Sequence, residues 1–233
     1  MALLDELVAL AVPPRCAACR APGRRAADAL CAACRRALPW LPDDRCPRCA
    51  LPLPHPRSGC PARDAPFAAA WSAVAYDGRA RDALIALKFH AARPLARIMA
   101  AQIAANAPPA LMPHDATLVA VPAHPRRRRA RGFDPAQLIT QALARATGLP
   151  IAAPLRRGRK ASRQLGASRQ ARRAAAGLEF TAAGEDPPER VVLVDDVHTT
   201  GATVSACAQA LRDAGTRQIT VVTWARTLDD RQR

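Results

Sequence analysis

The chain has 233 residues, half of them apolar but only 3% aromatic, and a formal net charge of +16. No apolar run reaches the roughly 18 residues of a membrane-spanning helix, and Met1 to Val12 lacks the basic start of a signal peptide. These features exclude an integral membrane protein and favour a cytoplasmic protein with one ordinary domain and a small appendage.

Seven of the eight cysteines lie within the first 60 residues. Six form three Cys-x2-Cys pairs, and the seventh follows alone. The candidate zinc ligands are therefore Cys16, Cys19, Cys31, Cys34, Cys46, Cys49 and Cys60. Each pair supplies two thiolates from one tight turn, and tetrahedral zinc needs four ligands, so two pairs complete one site. The pattern predicts a structural zinc ribbon over residues 1–64, whose metal contributes much of its folding energy.

The spacing leaves the ligand pairing open. Sequential pairing of the first four cysteines competes with an interleaved arrangement, and a second site lacks one cysteine. His55 lies between Cys49 and Cys60 and is a candidate for the missing ligand. A surface histidine in a proline-rich loop is the favoured interpretation.

The composition changes over residues 61–66, which we interpret as a linker between the ribbon and a second domain over 65–233. Beyond it, buried strands alternate with helices. The pattern predicts strands over 71–76, 117–121, 191–194 and 216–224, and helices over 80–90, 94–106 and 135–147. A further helix is opened by residues 199–203 and runs to about 214. Lys88, at the end of the first of these helices, is interpreted as a charge that favours the helix C-terminus rather than a ligand contact.

A strongly basic region follows the strand at 117–121. Between Val119 and Leu178 the chain has 13 arginines and one lysine against a single acid, Asp134. The planar arginine fork binds phosphate oxygens bidentately, so we expect a polyanion-binding loop after this strand, with a solvated surface as the alternative for each residue. The candidate nucleic-acid or polyanion contacts are Arg126, Arg127, Arg128, Arg129, Arg131, Arg159 and Lys160.

The segment over residues 191–203 reads Val-Val-Leu-Val-Asp-Asp-Val-His-Thr-Thr-Gly-Ala-Thr. Its unbroken apolar run is typical of a parallel strand buried on both faces. Asp195 and Asp196 follow where we expect the strand to leave the sheet, and ionised carboxylates suit sugar hydroxyls or metal-bound water. The next residues open a helix whose N-terminal N–H groups attract an anion, and Gly201 permits close approach of the backbone. The segment predicts a ribose phosphate site.

This segment resembles the phosphoribosyl-pyrophosphate (PRPP) motif of type I phosphoribosyltransferases. The resemblance implies an α/β fold with a central, mainly parallel sheet, and catalytic aspartates, Asp195 and Asp196, that hold ribose hydroxyls and, indirectly, Mg²⁺. It implies a 5′-phosphate loop formed by Thr199, Thr200, Gly201, Ala202 and Thr203. It also implies pyrophosphate contacts at Ala123 and His124, which follow an equivalent strand.

Four further features resemble the ComF family of competence-associated phosphoribosyltransferase-like proteins. They are the cysteine pairs, Leu87-Lys88-Phe89, Val121-Pro122 before Arg131-Gly132-Phe133, and a basic segment that ends at Phe180. Three positions depart from the family pattern, since Arg63 stands where a fourth cysteine pair is usual, and Asp134 and Ala175 each stand where Asn is usual.

The family resemblance implies a protein that binds PRPP or phosphoribose with Mg²⁺ and acts in DNA uptake, with single-stranded DNA as a partner. Three interpretations stay open. The first is a phosphoribosyltransferase with an unknown acceptor. The second is a non-enzymatic competence factor that binds single-stranded DNA with the same fold, and the third is a PRPP-sensing regulator. The low aromatic content disfavours base stacking, so we expect DNA binding through backbone electrostatics.

Overall fold

The computed structural model describes residues 15–23, 29–55, 59–158, 180–182 and 187–229. The predicted polyanion contacts Arg159 and Lys160, with the rest of the basic stretch up to residue 179, lie outside these ranges. None of the described helices combines the length and the apolar composition that crossing a membrane would require.

The described part of the chain contains the following strands, in chain order. They are β1 (Ala69–Ala75), β2 (Thr117–Ala120), β3 (Ile151–Ala152), β4 (Leu155–Arg157), β5 (Phe180–Ala182), β6 (Arg190–His198) and β7 (Gln218–Arg226). A five-stranded sheet has the order β1-β7-β6-β2-β3, and every pairing in it is parallel. β4 and β5 form a separate antiparallel ribbon. The predicted α/β class with a mainly parallel sheet is confirmed.

The helices are α1 (Ala32–Arg36), α2 (Gly78–Phe89), α3 (Leu95–Asn106), α4 (Pro125–Arg131), α5 (Pro135–Thr147) and α6 (Ala202–Asp213), with a 3-10 turn at Pro109–Leu111. The bounds of α5 are those predicted, because Asp134 caps its start and Gly148, in the left-handed conformation, ends it.

Two sequence expectations are corrected. The arginine run forms the short helix α4 instead of a loop, because His124 accepts from Arg126 N at its start and Pro125 fixes a helical φ at its first position. The strand β6 continues past both aspartates to His198, and Asp195 pairs with Thr223 of β7. The carboxylates therefore project from the rigid end of a central strand.

Apolar side chains cover both faces of the sheet, as the unbroken run in β6 predicts. Val192 and Val194 pack in one layer with α2, α3 and α5. Val191 and Leu193 pack in the other layer with α6. Alternate residues of one strand thus belong to opposite core layers, which is the expected arrangement of a doubly covered parallel strand.

The cysteine-rich segment lies against the outer strand of the sheet. Leu41 N donates to Ala73 O at 3.1 Å, and Ala75 N donates to Pro39 O at 2.8 Å, so the segment occupies the edge of β1. Arg48 donates to the carbonyls of Ala62, Ala65 and Ala68 and stacks on Phe67. The domain boundary near residue 65 stays a prediction, and these contacts join the two sides of it.

Candidate functional site

A cavity of about 190 Å³ opens beside the carboxyl ends of β2 and β6. Its lining includes six of the nine residues predicted for ribose, phosphate and pyrophosphate, namely Ala123, His124, Asp195, Asp196, Thr199 and Thr203. It also includes two of the predicted polyanion contacts, Arg127 and Arg131. It also contains Lys88, Asp134 and Arg157. Parallel strands place their carboxyl ends at one edge, which is where open α/β sheets bind ligands.

Not every predicted residue lines this cavity. Thr200, Gly201 and Ala202 belong to the loop that frames it but are absent from the lining among the described residues. The side chains of Arg126, Arg128 and Arg129 are exposed on α4. Two of the five arginines of the run, Arg127 and Arg131, therefore line the cavity. Arg128 lines a separate cavity beside β3 and β4.

The two aspartates have different partners. Asp196 forms an ion pair with Lys88 at 2.8 Å between Oδ1 and Nζ, with 12% and 22% of the two side chains exposed. Asp195 accepts from the backbone N–H of Asp196 at 2.8 Å. Burial, together with the neighbouring carboxylate, raises the pKa of Asp195 well above its usual value. One carboxylate is thus matched by a cation and the other titrates at a higher pH than a free aspartate.

Lys88 corrects the interpretation made from the sequence. The sequence favours an interaction of its charge with the C-terminus of α2, whereas in the structure its ammonium donates to Asp196, 108 residues further along the chain. The sequence signals for this residue were its place in the family feature Leu87-Lys88-Phe89 and its rarity, since the chain has two lysines.

Asp134 is a site residue that the sequence marked only as the single acid of the basic region and as a departure from the family pattern. Its side chain is 7% exposed and accepts from Ala123 N at 2.7 Å and from Ala136 N at 3.1 Å. Burial raises its pKa, against the effect of these backbone donors. Asp134 therefore fixes the turn after β2 to the start of α5, and the N–H of Ala123 is already engaged by a carboxylate.

The loop from Thr199 to Thr203 has the geometry that its glycine predicts. Gly201 has a φ of +81°, and a Cβ there would lie 2.9 Å from Nε2 of His198. It precedes α6 without contributing a capping side chain, so the N-terminal N–H groups of this 12-residue helix face the loop. Glycine is required here for two reasons: the backbone is left-handed, and a Cβ would collide with the ring of His198.

His198 supports the loop as a neutral ring. It is 2% exposed, and burial with the nearby Arg226 lowers its pKa to about 3. Its Nδ1 is buried and has no hydrogen-bond partner among the described residues. The sequence motif left this position unspecified.

Arg226, at the end of β7, also escaped the sequence analysis. It is 3% exposed, and its guanidinium donates to the carbonyls of Cys49, His198 and Thr199. Arg226 therefore fixes the main chain at the start of the predicted phosphate loop, residues 199–203.

Within the described residues, two clusters of metal-ligating side chains lie in the cysteine-rich segment. The first consists of Cys16, Cys19, Cys31 and Cys34, and the second of Cys46, Cys49, His55 and Cys60. The ligand atoms of each cluster lie within 4.8 Å of one another. The pairing is sequential, which resolves the alternative left open by the spacing. The interpretation of His55 as a surface residue is wrong, because its Nε2 lies 3.3 Å from Sγ of Cys49.

The chemistry of both donor sets fits zinc. Four sulfurs, or three sulfurs and one imidazole, form closed tetrahedral structural sites. Burial opposes ionisation of Cys16 and Cys46, yet backbone N–H donors lower their pKa values to about 6 and about 7. Cys207 is buried on α6, outside both clusters, and burial raises its pKa. The structural zinc predicted from the sequence is supported by these clusters.

Comparison with known proteins gives two sequence matches. Residues 7–63 match a family model described as a double zinc ribbon domain. Competence protein F of Haemophilus influenzae is 34% identical over 108 residues, which are 45% of this chain and 47% of that protein. The match therefore spans about half the length of this relative.

Several solved structures resemble the fold at low identity. The glutamine PRPP amidotransferase of B. subtilis, complexed with ADP and GMP, is 21% identical, with a TM-score of 0.40 over 57% of this chain and 26% of that one. A hypoxanthine phosphoribosyltransferase of Staphylococcus aureus is 8% identical, with a TM-score of 0.36 over 59% and 75%. That of Trypanosoma cruzi is 14% identical, with a TM-score of 0.32 over 56% and 62%. The sequence matches therefore show that the chain is similar to competence protein F over about half of each protein and to a double zinc ribbon domain over residues 7–63.

Proposed function

We propose that this protein binds PRPP, or a related phosphoribosyl ligand with Mg²⁺, in the cavity beside β2 and β6. The observation that carries the proposal is the meeting of the Asp195–Asp196 pair with the loop at the start of α6. A pair of carboxylates suits ribose hydroxyls, and helix N–H groups suit the 5′-phosphate. The cavity side of α4 adds Arg127 and Arg131 for the pyrophosphate.

The reaction that this arrangement supports is displacement at the anomeric carbon of the ribose. The bond from this carbon to pyrophosphate breaks, its electron pair leaves with the pyrophosphate, and a bond to an acceptor nucleophile forms. His124, Arg127 and Arg131 would stabilise the departing charge, and Asp195 and Asp196 would hold the ribose. Mg²⁺, when bound through these carboxylates, would neutralise charge on the pyrophosphate. No protein nucleophile is needed.

Calorimetric titration with PRPP and Mg²⁺ tests this proposal. We expect the wild type to bind and the double variant Asp195→Asn/Asp196→Asn to lose at least tenfold in affinity, since both ribose ligands lose their charge. Asp115→Asn is the matched control, because Asp115 pairs with Arg190 at the opposite end of β6. Absence of binding by the wild type, or equal binding by the double variant, would overturn the proposal.

A second candidate function is the binding of single-stranded DNA, in keeping with the similarity to competence protein F. The observation that favours it is a groove of about 630 Å³ lined by Tyr76, Phe89, Phe133, Arg127 and Arg131. The Phe89 ring is 68% exposed, and the guanidinium of Arg131 lies 5.0 Å from its centre. Aromatic faces beside arginines are the elements with which proteins stack unpaired bases.

The groove changes the expectation drawn from composition. The chain has few aromatic residues, but three of them are gathered in this one groove, which shares Lys88, Arg127 and Arg131 with the ribose cavity. We therefore propose that base stacking contributes to DNA binding beside backbone electrostatics.

Fluorescence anisotropy with an oligothymidine strand at several salt concentrations separates these contributions. Replacing Arg126, Arg128 and Arg129 with alanine should lower the salt slope by about 0.7 for each phosphate that the protein no longer neutralises. Phe89→Ala should weaken binding severalfold at every salt concentration and leave the slope unchanged. Arg35→Ala/Arg36→Ala, on α1, is the control. Unchanged binding in both the triple arginine variant and Phe89→Ala would exclude this surface.

A further inference from the structure

The guanidinium of Arg226 joins two parts of the molecule that have separate chemical roles. Its Nε donates to the carbonyl of Cys49 at 2.9 Å, 177 residues away in the chain. Its Nη1 donates to the carbonyl of His198 at 2.8 Å and to that of Thr199. Cys49, which carries the first carbonyl, is a ligand of the second metal cluster. His198 and Thr199, which carry the other two, lie at the start of the phosphate loop.

The charge of Arg226 explains why the state of the metal cluster should affect this residue. A buried cation is costly unless nearby groups compensate it, and the hydrogen bonds described above go to neutral carbonyls. Three thiolates and a neutral histidine on a divalent metal leave one net negative charge. The loaded cluster therefore supplies a compensating charge beside Arg226, which a cluster of protonated thiols does not.

The turn that carries the Cys49 carbonyl also depends on the metal. It contains two ligands, Cys46 and Cys49, and a Cys-x2-Cys turn of this kind folds around its metal. When the metal leaves, the turn is released. The guanidinium then loses a fixed acceptor and the charge of the cluster, and Asp229 is the other acidic group that acts on it. The carbonyls of His198 and Thr199 then lose a fixed donor.

We propose that Arg226 is a positioning residue that couples metal occupancy of the second cluster to the order of the phosphate loop. The loaded cluster holds Arg226, and Arg226 holds the loop in the conformation that receives the phosphate. Scarce zinc would loosen the loop without any change in the residues that contact ligand. For ligand affinity this inference rests on the proposed function, whereas for loop order it does not.

Coupling of this kind is reciprocal. If the metal favours the ordered loop, a ligand bound to the loop must hold the metal more tightly by the same factor. Saturating PRPP with Mg²⁺ should therefore slow the release of one zinc ion per chain to a colorimetric chelator. The release of the other zinc should not change, because within the described part of the chain the hydrogen bonds of Arg226 do not reach the first cluster.

Hydrogen exchange measured by mass spectrometry on the full-length protein tests the proposal directly. His55→Ala should reduce the zinc content by one ion per chain and speed exchange of the amides from residue 199 to 205 about tenfold. The matched control is Cys19→Ser, which removes a ligand of the first cluster and should leave exchange of the loop unchanged. Arg226→Lys should speed loop exchange to the same extent while keeping the full zinc content.

Three outcomes would overturn the proposal: loop exchange that is unchanged in His55→Ala, equal loosening by both metal variants, or loop exchange that is unchanged in Arg226→Lys. Failure of the proposed function is distinguishable from these. If the protein does not bind PRPP but hydrogen exchange follows the expected pattern, the coupling through Arg226 is supported and PRPP is excluded as the ligand.

Discussion

Gly201 is the residue at which the phosphate loop is least tolerant of change. Its φ of +81° places it in the left-handed region, and a Cβ would lie 2.9 Å from the ring of His198. We predict that Gly201→Ala destabilises the protein by about 2 kcal/mol or more and abolishes PRPP binding. Thermal unfolding and calorimetric titration measure the two effects.

Gly148→Ala is the matched control for this prediction. Gly148 has a φ of +77°, but nothing lies within 4 Å of its added Cβ. It should cost only the conformational part, about 1 kcal/mol, and leave binding unchanged. If both variants lose the same stability, the contact with His198 has no importance for the loop.

The raised pKa of Asp195 leads us to predict that the stability of the protein depends on pH. Its pKa is higher in the folded protein than the ordinary 3.8, so the native state binds its proton more tightly than the unfolded state does. The cost of ionising it in the fold is absent below about pH 4 and grows as the pH rises through the folded pKa. Asp195→Asn should therefore stabilise the protein at pH 7.5 by on the order of 1 kcal/mol, or about 2–4 °C.

Melting curves at pH 7.5 and at pH 4 check this sign. The two proteins should differ at the higher pH and converge at the lower one. A variant that is less stable than the wild type at pH 7.5 would show that the native fold favours the charged form of Asp195.

Sequence reasoning found the site residues that belong to a contiguous motif and missed those that are brought together by the fold. Asp195, Asp196 and the loop after them are neighbours in the chain, so their chemistry could be inferred from their order. Lys88 and Arg226 act on groups 108 and 177 residues away. No local pattern contains such a contact, because it depends on which strands become neighbours in the sheet.

At the scale of the elements, periodicity and capping residues predicted the helices and strands of the core well. The error at α4 has a physical reason, since a run of arginines has no apolar stripe, and the helix is instead set by His124, Pro125 and Gly132 at its ends. The error at His55 arose because the approach of residues 49 and 60 was not visible in their spacing.

The second cluster predicts the metal content. Because His55 completes it, we expect two zinc ions per chain in the purified protein. Cys60→Ser should leave one, since three ligands do not hold a structural zinc tightly. Cys207→Ala is the control, because Cys207 lies on α6 outside both clusters, and it should leave two. Elemental analysis by mass spectrometry gives these numbers, and a single zinc in the wild type would contradict the assignment of His55.

At the scale of the whole molecule, the cysteine-rich segment is part of both core layers. Cys16 and Cys34 pack in the layer that contains α3 and α5, and Cys46 and Cys49 pack in the layer that contains α6. Unfolding of the segment would expose apolar surface on each face of the sheet.

We therefore predict that the zinc ribbon and the sheet unfold together. Calorimetry of the zinc-loaded protein should show one transition, and a strong chelator should lower its midpoint by about 10 °C or more, because metal binding stabilises the folded state by mass action. Added zinc should restore the midpoint. Two separate transitions, with only the first sensitive to the chelator, would show that the segment is an independent unit.

The order of the strands has a consequence for folding kinetics. β7 lies between β1 and β6, so its pairing with β1 joins residues 69–75 to residues 220–226. Contacts between such distant segments form slowly, since a long loop must close before they stabilise anything. During synthesis, β1 and the segment on its edge must wait for the chain to extend through Arg226. The strand that completes the sheet is also the one that delivers the guanidinium to the phosphate loop, so the loop becomes ordered late.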